Sequence, residues 1–305
     1  MPGGFRRKRA RDEQRVRVDG NGLRREVVGE QGLADDELAG LTERLDEQGA
    51  QLERQRRVGF AELPGSKADL RKAAQLAEEV AKTVTDVVVL GSGDLADGLA
   101  AIGTALTVSS PIGAPTEGNA PRLHVLDRLD PDRFTALLAT LDLERTVFNV
   151  VSATGDALAA MSHFMIARDH LLRDLGAVAY QQHVVVTTRA GDGALRQIVN
   201  DEGFRALVLP DAVDESAAVL SAAALFPLAC VGVDVGALLA GADAMLERCR
   251  TADGPRPAHL LALALRLAPT GVQVVPPGPV TLARLAAWIG RRTRADTADG
   301  PPDPS

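Results

Sequence analysis

The chain has 305 residues, enough to bury a full core in one or two domains. Hydrophobic residues make up 46% and aromatic residues only 3%, so the core is expected to be aliphatic. The net charge of −7 argues against a globular surface built for nucleic acid. Cys230 and Cys249 fall in apolar or helical patterns and read as reduced thiols rather than a disulfide. No apolar run follows the N-terminal charges as a signal peptide requires, and stretches such as 217–233 are too short and interrupted for a membrane span. These features predict a cytoplasmic protein without membrane or nucleic-acid partners.

In chain order, residues 1–34 read as a basic arm without stable structure. It carries Arg6, Arg7, Lys8, Arg9, Arg11, Arg15 and Arg17. Residues 35–84 read as N-terminal helices. Leu38, Leu41, Leu45 and Leu52 mark the first at helical spacing, and Leu70, Ala74, Leu76, Val80 and Val84 mark the second. Residues 85–292 read as one α/β domain. Strands are predicted at 86–90, 122–126, 146–151, 183–188, 206–210 and 271–275. Helices are predicted at 95–106, 131–140, 156–173, 193–201, 217–229, 235–248 and 257–267. Nearly all-apolar strands, each followed by a helix, indicate a parallel sheet covered on both faces. Residues 293–305 read as a polar, disordered tail.

In doubly wound sheets ligands sit beyond the carboxyl ends of the strands, near a topological switch point. Two segments there have the form of a strand, a turn and a helix start: Gly91-Ser92-Gly93-Asp94-Leu95 and Ser152-Ala153-Thr154-Gly155-Asp156-Ala157. Helix-start N–H groups favour anions, yet each turn carries an aspartate. Gly91, Gly93 and Gly98 lack the spacing of a dinucleotide fingerprint. Asp94, Asp156, Asp214 and Glu215 read as solvated acids or as a cation site. Ser152 and Thr154 read as caps or as phosphate ligands, and His163 and His170 as packing or surface residues. No metal and no cofactor is expected.

Several motifs, in order, resemble the glucose-6-phosphate isomerase family, bacterial type. They are Gly59-Phe60-Ala61-Glu62-Leu63-Pro64, the strand and turn at 86–95, Val125-Leu126-Asp127, the segment 149–157, the run 184–188, the run 220–229, and Trp288. The resemblance spans about residues 59–290. It implies a sugar-isomerase (SIS) domain: a three-layer α/β/α sandwich with a parallel doubly wound sheet, preceded by a helical N-terminal segment. It also implies a truncated chain lacking the family's second such domain.

By the same resemblance the phosphate pocket would comprise Gly91, Ser92, Gly93, Ser152, Thr154 and Gly155. The chain departs from the family there. Leu95 stands where the family has a serine, Asp94 replaces a glycine, Ala153 replaces a basic or polar residue, and Asp156 and Ala157 replace hydroxyls. Two unit charges about 4 Å apart interact by roughly 4 kcal/mol at an effective dielectric near 20. An aspartate facing a phosphate would therefore oppose binding. Asp214-Glu215-Ser216 replaces the loop that supplies an arginine, and Ala295, beside Asp296, stands at the position of the catalytic glutamate. No catalytic residue is assigned. These departures predict a non-catalytic homologue acting through protein contacts, as a homo-oligomer or a heteromer with a sugar-phosphate enzyme. Two readings compete with it: an isomerase completed by a partner subunit, and a sensor of a non-phosphate ligand.

Overall fold

The computed structural model describes residues 18–54, 59–107, 120–154, 157–191, 193–250, 256–267 and 282–298. In chain order the elements are α1 (Arg25–Val28), α2 (Asp35–Arg54), α3 (Lys67–Ala81), β1 (Asp86–Leu90), α4 (Gly93–Leu106), β2 (Arg122–Leu126), α5 (Pro131–Leu138), β3 (Thr146–Val151), α6 (Leu158–Ala179), β4 (Val184–Thr188), α7 (Ala194–Glu202), β5 (Arg205–Val208), α8 (Ala222–Cys230), α9 (Val235–Arg250), α10 (Pro257–Leu267) and α11 (Ala283–Ala298). No described helix is long and apolar enough to cross a membrane. The predicted strand at 271–275 lies outside the described residues.

The chain divides into two compact units, Met1–Gln51 with Glu247–Gly271, and Leu52–Leu246 with Val272–Ser305. In the first unit, part of the segment expected to be an unstructured arm is folded. Short helical turns at Asn21–Leu23, Arg25–Val28 and Gly29–Gln31 are closed by Arg25 N–H to Leu33 C=O (2.8 Å) and Leu33 N–H to Leu23 C=O (2.8 Å). The Glu37 carboxylate accepts from the Ala34 N–H at 2.8 Å and from Arg25 at 2.9 Å, and so ties this turn to the start of α2. Asp46 pairs with Arg256 and with His259 Nε2 (3.1 Å), which fastens α10 within the unit.

The second unit is a three-layer α/β/α sandwich around five parallel strands in the order β2-β1-β3-β4-β5. Every position of β1, β3 and β4 is buried, as expected of strands covered on both faces. The period of two divides the residues between layers. Val87, Val89, Val147, Val151 and Val185 pack against α3, α4, α8 and α9. Val88, Leu90, Phe148, Val150, Val184 and Val186 pack against α5, α6 and α7. Local chemistry sets the helix ends. Asp130 caps α5, its carboxylate accepting from the Arg133 N–H at 3.0 Å, and Pro131 follows at the first helical position. The α7 helix stops at Gly203 in the left-handed conformation (φ 71°).

Two elements differ from the sequence reading. The α3 helix is part of the sandwich, because Ala73, Ala77 and Val80 form a buried stripe against the first layer. And α11, for which no helix was predicted, runs through residues 293–298 of the expected tail. Leu285, Trp288 and Ile289 supply its helical spacing, and good helix formers such as arginine and alanine carry it on. It seats against α4 at Gly98. A Cβ there would lie 2.5 Å from Val219 Cγ1 and 2.9 Å from the Trp288 ring. The substitution Gly98→Ala is expected to cost about 1–2 kcal/mol by overpacking. Chain-wide urea unfolding gives the cost, and fluorescence of Trp288, the only tryptophan, reports the displaced contact.

Candidate functional site

The strand order reverses between β1 and β3, which puts the switch point between two neighbouring strands. In register Leu90 faces Val150, so the segments that follow, 91–95 and 152–154, emerge side by side. Gly91 N–H donates to Leu126 C=O (3.1 Å) and Ser152 N–H to Thr187 C=O (3.1 Å), so both turns stay anchored to the sheet. Gly93 adopts φ +65°, a conformation that favours glycine, and this redirects the chain into α4. Ser92 is the N-cap of α4, but its side chain makes no capping hydrogen bond.

Among the described residues, the space beneath the first turn is filled. Leu95 is 3% exposed and belongs to the core of the first layer. The space bordered by Gly91, Ser92, Leu95, Ala96, Val151 and Ala223 is too tight for a water molecule. Ala153 is also buried, and Thr154 is exposed on the rim. Ser152 is fully buried beneath it, and Ala157 is half-buried as the N-cap of α6.

Electrostatically the mouth brings together Asp94, Glu215 and the Arg189 guanidinium. Burial pushes the Glu215 carboxyl above its ordinary pKa. Arg189, at the end of β4, pulls it down, and Asp94, in the first turn of α4, pushes it further up. Asp94 and Glu215 therefore act on each other, and Glu215 is half-buried rather than the solvated acid that the sequence suggested. Arg189 is held by Val213 C=O (3.2 Å) and lies 3.9 Å from Asp211.

A second network lies at the end of β2. Arg284 of α11 donates to Asp127 Oδ2 (3.1 Å) and lies 3.8 Å from Asp97, while Arg291 donates to Asp97 (2.8 Å). Arg133 stands 3.6 Å from the other Asp127 oxygen. Burial, and then the neighbouring Asp127 carboxyl, raise the Asp97 pKa against the pull of Arg291 and Arg284. Between these ion pairs the Trp288 indole donates to Asp94 C=O (3.1 Å). Arg284, Trp288 and Arg291 thus dock α11 over the start of α4.

Of the predicted site residues, the structure brings Gly91, Ser92, Gly93, Asp94, Leu95, Ser152, Ala153, Thr154 and Ala157 to one sheet end. Gly155 and Asp156 lie outside the described residues, as do the side chains of Ser216 and Ala295. The backbone of Ala295 lies in α11. Sequence reasoning missed Asp97, Arg284 and Arg291. Their only sequence signal was the arginine spacing of seven along a helix that had not been recognised.

Comparison with known proteins gives a consistent picture. No model of a known protein family matches the chain. It is 33% identical over 236 residues to a glucose-6-phosphate isomerase of Rubrobacter xylanophilus, covering 76% of this chain and 54% of that protein. It is 30% identical over 270 residues to a probable glucose-6-phosphate isomerase of Haloquadratum walsbyi, covering 85% and 59%. A crystal structure of a hypothetical protein from Thermus thermophilus superimposes with a TM-score of 0.66 at 28% identity, over 82% of this chain and 57% of that one. The chain is a homologue of the glucose-6-phosphate isomerases. A Chlamydia trachomatis glucose-6-phosphate isomerase shares the fold, with a TM-score of 0.62 at 19% identity over 77% of this chain. The chain spans about half the length of the curated relatives it matches.

Proposed function

We propose that the chain is a non-catalytic relative of glucose-6-phosphate isomerase that acts in the cytoplasm through protein contacts, as a homo-oligomer or in a heteromer with a sugar-phosphate enzyme. The observation that carries this reading is Leu95. Its side chain is packed into the core at the position where the resemblance expects a phosphate-binding hydroxyl, and the space beside it is too tight for a water molecule. Asp94 and Glu215 add negative charge at the mouth, which opposes a sugar phosphate. General acid–base chemistry needs a base within hydrogen-bond reach of the substrate, and alanine stands at 295, the position of the family's glutamate.

The test is a coupled assay on the purified chain with glucose 6-phosphate. The expected result is no formation of fructose 6-phosphate above a mock preparation. Turnover that co-elutes with the chain and falls on Thr154→Ala would overturn the reading. Turnover that appears only with a co-purifying subunit would favour an isomerase completed by a partner.

A further inference from the structure

His163 lies on α6, on the face turned toward the sheet, and is 1% exposed. Neither ring nitrogen has a hydrogen-bond partner among the described residues. Its ring packs on Phe134 of α5, with centroids 4.7 Å apart and planes tilted by 58°. Phe134 is itself 1% exposed, so the contact forms part of the buried seam between the two helices.

We propose that His163 is a pH-sensitive latch between α5 and α6, closed while the imidazole is neutral and released when it takes up a proton. A neutral ring in this apolar seam leaves one N–H donor and one acceptor nitrogen unpaired, a smaller cost than that of burying a charge. An imidazolium there has two N–H donors and a full charge with nothing to receive them. The charged group acting on it is the Asp130 carboxylate, whose attraction favours the imidazolium. That carboxylate already caps α5 through the Arg133 N–H, so turning to His163 would uncap the helix. Residues 158–167 of α6 contain no other titratable group. Burial lowers the His163 pKa from its ordinary value, and Asp130 does not cancel the effect.

The sign of the linkage follows. A histidine whose folded pKa is depressed contributes stability that is full above the unfolded value of about 6.5 and is lost as pH falls below it. Release would free the first turn of α5, which carries Arg133 to within 3.6 Å of Asp127 at the end of β2.

The experiment is amide hydrogen exchange of α5 and α6, with urea unfolding, at pH 7.5, 6.5 and 5.5, on the full chain and on His163→Leu and His163→Gln. Below about pH 6.5 the unfolding constant of the parent should rise by up to about tenfold per pH unit, and α5 and α6 should lose protection in step. Both variants should show a shallower dependence than the parent. The glutamine variant serves if leucine disturbs packing. Histidines elsewhere, such as His259, titrate equally in all three proteins and cancel in the comparison. The same pH dependence in parent and variants would overturn the proposal, as would loss of protection spread evenly over all elements.

Discussion

Replacing Arg122 by methionine is expected to destabilise the chain by about 3 kcal/mol near pH 7.5, because it leaves a buried carboxylate short of its main partner. Asp86 opens β1 and is 0% exposed. Arg122 grips it with two bonds of 2.8 Å, His124 adds one of 2.8 Å and Thr85 one of 2.9 Å. Burial alone would raise the Asp86 carboxyl. The bonds from Arg122, His124 and Thr85 outweigh it and hold the pKa below its ordinary value. The reverse change, Asp86→Asn, should cost less, about 1–2 kcal/mol. The guanidinium it leaves behind is 41% exposed and can be hydrated. The pH dependence separates the two partners further. In the parent, the stability due to Asp86 is full above about pH 4 and falls away as pH drops through its depressed folded pKa. Without Arg122 the burial effect prevails, the folded pKa rises, and protonation relieves the defect. The gap between parent and Arg122→Met should therefore narrow from pH 7.5 to pH 4.5 in urea unfolding. A gap that stays constant would mean that the cost is lost packing and not a stranded charge.

Gly59→Ala is expected to cost about 3 kcal/mol, the upper part of the range for overpacking. Gly59 begins a 3₁₀ turn, Gly59–Gly65, and is buried. A Cβ built there would lie 1.9 Å from the Ala212 carbonyl oxygen and 2.6 Å from its carbon. Those are backbone atoms, so no rotamer change relieves the clash, and one of the two segments must shift. Gly65 in the same turn is the internal control. Nothing lies within 4 Å of its Cβ position, and Gly65→Ala should change stability by no more than about 0.5 kcal/mol. Thermal unfolding of the two single variants gives the answer directly. Equal effects at 59 and 65 would remove the steric account.

Both residues show where local reading stops. The lead-in 59–64 was legible as a motif, but the need for glycine at 59 depends on Ala212, which is 153 positions away (212 − 59). Asp86 was legible as the start of a strand, but its neutralisation by Arg122 depends on β2 pairing beside β1.

What the chain settles by local pattern is considerable. The apolar runs mark the five described strands, the β-branched ones at 86–90, 146–151 and 184–188 mark those buried on both faces, and Asp130-Pro131 starts α5. The change from short continuous apolar runs to helical spacing marks the crossovers. The substitutions at 94, 95, 153 and 157 were visible as changes of chemistry before any geometry was known.

Only the tertiary structure decided which strands adjoin, and so which two turns share a mouth. It decided that Leu95 turns into the core, that Asp97 and Asp127 meet the arginines of α11, and that His163 has no hydrogen-bond partner among the described residues. These outcomes depend on contacts such as Arg284 to Asp127 and Trp288 to Asp94, separated by 157 and 194 positions. A contact at that separation leaves no period in the sequence, because its geometry is set by the packing of whole layers rather than by the torsions of neighbouring residues.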